Sequence, residues 1–317
     1  MSPTPMSIID FAGWKMALKL EGFTSSNSHK ARAAERTVAR LRRAGLVKGP
    51  AAQRIVFVIS SSGNAGYEIA KRTVGTNVQV VIFTDVLSPR EMVERLQEWP
   101  HVRVIIIDEP DASGSHAHAR KRELKAFRGI HPDSIEIDQY ADSDWPCGYF
   151  SLFDEIEKQV PDVGCIFVPV GTVATLRAAA QFKTYFKRRW KIYAVDATGS
   201  ALNGTPTGKR LFSGFGNGGR TEWARQALPY VEEWLRVPDE AVVWAAHWLR
   251  ARGQFLGASS GAAFAAAASV IARDELPHDG TPILICPDHG SHYRSTLYSD
   301  DFLLRHGFGH LVAPAAA

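Results

Sequence analysis

The sequence predicts an α/β protein of two lobes, each an open, mostly parallel sheet flanked by helices. Three observations carry that expectation. Short runs rich in β-branched apolar residues alternate with segments of helical spacing, as parallel strands joined by crossover helices require. Several of these runs stop abruptly in small polar or glycine-rich loops, as strand tips do at the ligand-binding edge of an open sheet. With 317 residues and 45% hydrophobic content, the chain is long enough to bury the cores of two lobes.

The clearest unit runs from Arg54 to Lys71. Ile55 to Ile59 read as a strand buried on both faces, Ser60 ends it, and from Ala65 the pattern turns helical. Such a turn aims backbone N–H groups above the sheet, and the helix N-terminus adds about half a positive charge, which makes a cradle for an anion or carboxylate. Ser60 to Ser62 add hydroxyls, Gly63 and Gly66 permit close backbone approach, and Asn64 adds an amide. An ordinary strand-to-helix turn with a serine cap accounts for the same residues.

Upstream, Trp14 to Leu20 alternate as a strand, and a second polar loop leads into a helix from Ala31 to Arg43 that Gly45 ends. Lys30 falls in that helix's first turn, where a cation is electrostatically misplaced. Two readings stand: a functional lysine, or a solvated surface one.

Downstream, Val78 to Phe83, Val102 to Asp108 and Ile135 to Ile137 read as strands, with helices at Arg90 to Trp99 and Ala117 to Phe127. His116, His118 and Arg120 to Lys125 suggest a metal or phosphate patch, but a charged helix face explains them. The polar connection Asp138 to Gly148 reads as a crossover between lobes. Cys165 to Val170, Trp190 to Val195 and Pro282 to Cys286 are further strands, and Glu240 to Arg252 and Ser260 to Arg273 are helices. Phe212 to Gly219 forms a glycine-rich loop. There is no internal repeat, and low complexity is confined to the tail from Pro314 to Ala317.

Composition narrows the function. The net charge of +4 is mixed in sign along the chain and does not call for nucleic acid. No apolar run approaches about 18 residues, so no membrane span is expected, and the N-terminus lacks the build of a signal peptide, which suggests the cytoplasm. Cys147, Cys165 and Cys286 are isolated, against disulfides and against a thiolate metal site. The best seat for a phosphate is Gly171-Thr-Val-Ala-Thr175, whose hydroxyls and consecutive N–H groups open a helix. It is neither Gly-x-Gly-x-x-Gly nor a P-loop, which counts against a dinucleotide or ATP.

Six motifs, in order, resemble the cysteine synthase family: Asn27-Ser-His-Lys-Ala-Arg32, Ser61-Ser-Gly-Asn-Ala-Gly66, Gly171-Thr-Val-Ala-Thr175, Gly214-Phe-Gly216, Gly257-Ala-Ser-Ser-Gly-Ala262 and Pro287-Asp-His-Gly-Ser-His-Tyr-Arg-Ser-Thr296. The family comprises pyridoxal 5'-phosphate enzymes of fold type II, including O-acetylserine and O-phosphoserine sulfhydrylases, and the match spans about residues 15 to 305. The resemblance implies cofactor in a cleft between a larger anchoring lobe, 1–45 and 146–317, and a smaller mobile lobe, 46–145. It also implies a homodimer acting on a small amino acid and a small nucleophile. Lys30 matches the Schiff-base lysine, residues Gly171, Thr172, Val173, Ala174 and Thr175 the phosphate cup, and Asn64 the amide on the ring hydroxyl. Ser61, Ser62, Gly63 and Gln139 match groups that hold the substrate carboxylate, with Gly216 beside them. Pro287-Asp288-His289 matches the segment that meets the ring nitrogen, and either Asp288 or His289 faces it.

Departures mark a specialised relative. Val173 and Ala174 stand where glycines are usual, so a shifted loop path is expected; Ala65 replaces a threonine, and Asp288 or His289 a neutral hydroxyl. The implied reaction is β-replacement on an O-activated serine through an aminoacrylate, with Arg220 either receiving an anionic group or lying on the surface. A β-eliminating lyase or deaminase of the same fold, and a binding protein for a phosphorylated metabolite, are the alternatives.

Overall fold

The structure is a computed structural model that describes residues 2–112, 115–204 and 210–311. The tail from Pro314 to Ala317 lies outside the described residues. In chain order the elements are β1 (Met6–Phe11), β2 (Trp14–Leu20), α1 (Lys30–Arg43), β3 (Ile55–Ser60), α2 (Asn64–Arg72), β4 (Val78–Asp85), α3 (Arg90–Gln97), β5 (Val102–Ile107), α4 (His116–Ile130), β6 (Ile135–Glu136) and α5 (Asp144–Cys147). There follow α6 (Phe150–Gln159), β7 (Val163–Pro169), α7 (Ala174–Tyr185), β8 (Lys191–Ala197), α8 (Glu222–Ala227), β9 (Glu233–Val237), α9 (Asp239–Arg250), α10 (Ala258–Ala272), β10 (Thr281–Cys286) and α11 (Asp300–Arg305).

The chain divides into two compact units, Met1–His29 with Tyr149–Ala317, and Lys30–Gly148. The leading segment of the first unit ends at His29 and not at residue 45, so α1 belongs with the second unit. The reason is packing. Ala31, Ala33, Ala34, Val38 and Leu41 are buried on α1, and Gly148 lies so close beneath it that a Cβ there would stand 2.5 Å from the Cα of Ala33. Arg36 and Arg40 then reach Asp144 and Asp142 at 3.0 and 2.6 Å, fastening α1 to the loop around α5.

In the first unit six strands lie in the order β1-β2-β10-β7-β8-β9. All pairings are parallel except the β1–β2 hairpin. The sequence expectations contain no counterpart of β1 and β9, the two edges, or of helices α6, α8 and α11. The long alanine-rich α10 is buried nearly all round, as expected for a helix covered on one side by the sheet and on the other by α9. Phe11, Trp248 and Phe264 close this core, with the last two rings stacked at 4.5 Å.

In the second unit the order is β5-β4-β3-β6, all parallel. The central strands β3 and β4 carry the unbroken apolar runs, and their neighbours at the edges are shorter or more exposed.

Candidate active site

In the first unit, β7 ends at Pro169 and the chain turns through Gly171–Thr175 into α7. Val173 is the N-cap of that helix and takes a left-handed backbone, φ 70 and ψ 0, with its side chain 2% exposed. A β-branched residue therefore occupies the region natural to glycine and carries the strain of that backbone. Thr172 Oγ1 accepts from the Ala174 N–H at 3.4 Å, and Thr172 and Thr175 are both buried.

The glycine-rich loop braces this turn. The Gly216 N–H donates to the Val170 carbonyl at 2.5 Å and Asn217 Nδ2 to the Gly171 carbonyl at 3.4 Å. A Cβ on Gly171 would stand 3.3 Å from the Gly214 carbonyl oxygen. Ser200 and Asn217 bond each other reciprocally, Oγ to carbonyl at 3.2 Å and N–H to Oγ at 3.0 Å. Neither residue was singled out from the sequence, because each acts on backbone rather than as part of a motif. A first-turn helix amide set, two hydroxyls and a backbone held open by glycine suit a dianionic phosphate. The residues present fit the phosphate of the cofactor named above.

The same unit carries Asp288, just past β10. Its backbone is pinned from three sides: an antiparallel bridge to Ser28, a bond from the Gly257 N–H at 3.0 Å, and packing of Gly22 against residues 288 and 289. Its side chain is 2% exposed and accepts from the Tyr293 hydroxyl at 2.9 Å. His289 is turned to its own loop, its Nδ1 accepting from the Ser291 N–H at 3.3 Å. Burial lowers its basicity below that of an ordinary histidine, with Arg294 adding to the effect. Of the two candidates, Asp288 is therefore the interior one. Arg220 is exposed, its guanidinium beside Gly204.

In the second unit, Lys30 is the first residue of α1 and half-buried, in a first turn that holds no acidic residue. The loop after β3 is stapled by Ser61, whose buried hydroxyl accepts from the N–H groups of both Gly63 and Gly66 at 3.1 Å. Gly63 has φ 135 and no room for a side chain, since a Cβ would lie 2.1 Å from Met92 Cγ. Ser62 and Asn64 are half-buried on the same turn. Gln139 donates through Nε2 to the Ser60 carbonyl at 2.8 Å, bracing the tip of β3. Ser61, Ser62, Gly63, Asn64 and Gln139 thus share one strand end. His118 pairs with Asp111 at 3.4 Å, and among the described residues there is no group of three metal-ligating side chains.

Comparison with known proteins matches residues 2–288 to the family model described as pyridoxal-phosphate dependent enzyme. The N-(2-amino-2-carboxyethyl)-L-glutamate synthase of Cupriavidus metallidurans is 28% identical over 90% of this chain and 83% of its own length. That of Ralstonia nicotianae is 26% identical with the same coverage. Among solved structures, O-ureido-L-serine synthase superposes with a TM-score of 0.80 at 18% identity, covering 96% of each chain. The O-acetylserine dependent cystathionine beta-synthase of Helicobacter pylori does so with 0.78 at 20% identity, covering 92% of this chain and 94% of its own. These structures place the fold among fold type II enzymes of the cysteine synthase kind.

Proposed function

The chain belongs to the pyridoxal-phosphate dependent enzyme family, and from that premise we propose that it catalyses β-replacement on an O-activated serine-type amino acid. The observation that carries the reading is the turn Gly171–Thr175, whose left-handed residue and helix start make a phosphate seat. When bound, the cofactor supplies an electron-withdrawing aldehyde and ring, which make loss of the substrate α-proton and of a β-substituent feasible.

The rest of the work falls to the chain. Lys30 Nζ would attach the cofactor, and once a substrate amine has taken its place there the freed amine would be the base for the substrate α-proton. Thr172, Thr175 and the amides of Gly171 to Ala174 would hold the phosphate, Asn64 the ring hydroxyl and Asp288 the ring nitrogen. The Ser61 to Gly63 turn and Gln139 orient the substrate carboxylate, with Gly216 lining the site. Ser61 does so by shaping the turn, its hydroxyl accepting from the N–H groups of Gly63 and Gly66. Orientation of this kind is worth several kcal/mol of barrier in well-aligned systems.

Arg220, exposed beside the glycine-rich loop, receives the anionic leaving group or the second substrate. The relatives' product name describes a three-carbon amino-acid unit on a glutamate nitrogen, so an amine of an acidic amino acid is the favoured nucleophile. A specialised biosynthetic role, a cytoplasmic location and a homodimer belong to the same reading; the three free cysteines support the reducing compartment.

The test is to titrate the purified, cofactor-loaded protein with O-acetylserine and O-phosphoserine, follow the visible spectrum, and then add L-glutamate or sulfide. A spectral change on the first addition, reversed by the second with formation of the substituted product, is expected. No change with either serine ester would remove the assignment. Pyruvate and ammonia without any nucleophile would make the protein an eliminating enzyme instead.

A further inference from the structure

Tyr293, Asp288, Gly214 and Gly257 of the first unit form a connected cluster, in which Asp288 alone has a part in the reaction proposed above. Tyr293 is fully enclosed and its hydroxyl donates to Asp288 Oδ2 at 2.9 Å. A Cβ on Gly214 would stand 2.7 Å from that hydroxyl, so the same group touches the loop that covers Gly171. On the other side, a Cβ on Gly257 would stand 2.0 Å from Asp288 Oδ1 and 2.6 Å from the Tyr293 ring. Gly257 has an ordinary φ of −76, so its lack of a side chain serves space and not backbone freedom.

A buried carboxylate is driven toward its neutral form unless something opposes desolvation. Here two things do. The Tyr293 hydroxyl donates to it, and Gly257 is the N-cap of α10, a 15-residue helix whose positive end favours an anion. Burial, and then the charge of Asp288, push the Tyr293 phenol well above its usual value, so it stays a donor at working pH.

We propose that Tyr293 is a positioning residue: with the space left by Gly257 it holds Asp288 as an oriented anion against the ring nitrogen, which therefore keeps its proton. An anion within about 4–6 Å raises the proton affinity of a basic nitrogen by about 1–3 pH units, where a neutral hydroxyl gives no such shift. The inference rests on the cofactor-binding reading of Asp288, and its test separates the two.

The protein is loaded with pyridoxal phosphate labelled with 15N in the ring, and the nitrogen shift is followed with pH while visible absorbance reports occupancy. Wild type should show a protonated nitrogen through pH 8. Asp288→Ser should retain the visible band and show an unprotonated nitrogen at that pH. Tyr293→Phe should move the deprotonation midpoint at least about one pH unit toward that of Asp288→Ser. Gly257→Ala should move it in the same direction without changing either side chain, which covers the case in which another variant fails to fold. Absence of a visible band from wild type would sink the cofactor reading itself. A bound cofactor whose nitrogen titrates alike in wild type and Asp288→Ser, or a midpoint unchanged or raised in both Tyr293→Phe and Gly257→Ala, would overturn the inference alone.

Discussion

Ser28 and Asp288 stand opposite each other in an isolated antiparallel bridge, and His29 donates its N–H to the Pro287 carbonyl at 2.7 Å. The residue before Lys30 is thus tied to the segment that carries Asp288. Lys30→Ala should abolish the visible band of the bound cofactor and lower turnover by at least about a thousandfold, as loss of a covalent catalyst does. The far-ultraviolet circular dichroism should match wild type, since the lysine is only half-buried at a helix start. A retained band in the variant would show that the cofactor is not joined at this residue.

Val173 makes a second prediction whose sign is unusual. At most positions alanine is more stable than glycine by about 0.5–1 kcal/mol, because glycine loses more freedom on folding. At a left-handed position an L side chain costs about 1–2 kcal/mol. Val173 has φ 70, so Val173→Gly should be more stable than Val173→Ala by about 1 kcal/mol, read from urea unfolding midpoints at equal slope. Alanine ahead of glycine would mean that the turn does not hold this backbone in solution.

The contrast between β3 and the sheet edges explains what the sequence made legible. Ile55 to Ile59 announce a buried strand because both faces are covered and every position is apolar. β1 and β9 have a neighbour on one side only, and the Glu233-Trp-Leu-Arg-Val237 run mixes charge into its pattern. The β1–β2 turn uses Ala12 at φ 49 with Gly13 at φ 82, which lacks the Asn-Gly or Asp-Gly signal of such hairpins. The choice between Asp288 and His289 was illegible for a different reason. Neighbours in extended backbone face opposite ways, and which face is interior depends on Gly257 and on a short turn that brings Tyr293 back. Neither contact leaves a local trace.

Lys19 is buried on β2 and donates to the Thr4 carbonyl at 2.8 Å, to Glu155 at 2.8 Å and to Gln159 at 2.9 Å. Removing one partner of a buried pair leaves an uncompensated charge, at a cost of about 3–5 kcal/mol. Lys19→Met should therefore destabilise the first unit by that order, measured by thermal or urea unfolding. The double variant Lys19→Met with Glu155→Leu should recover part of the loss, because it removes the uncompensated charge while also giving up the bond from the Thr4 N–H to Glu155 at 3.1 Å. If the double variant is no better than the single one, the bonds that Lys19 donates to Thr4 and Gln159, and not the charge pair, hold this corner.

Cys165 and Cys286 set the behaviour in alkali. Burial pushes both thiols up to about 12, whereas an unfolded cysteine titrates near 8.5. Because the folded value is the higher one, their contribution to stability is complete below about pH 8.5 and is lost as pH rises toward about 12. Between those limits the unfolded chain releases protons that the native one keeps, so each thiol lowers the unfolding free energy by about 1.4 kcal/mol per pH unit. Urea unfolding at pH 8, 9 and 10 should show a falling midpoint, and Cys286→Ala should flatten the fall. At pH 8 a thiol reagent should modify the half-exposed Cys147 in the native protein and reach Cys165 and Cys286 only on unfolding. Rapid native reaction at all three, or a midpoint flat through pH 10, would show that the two strands bearing the buried thiols open readily to solvent.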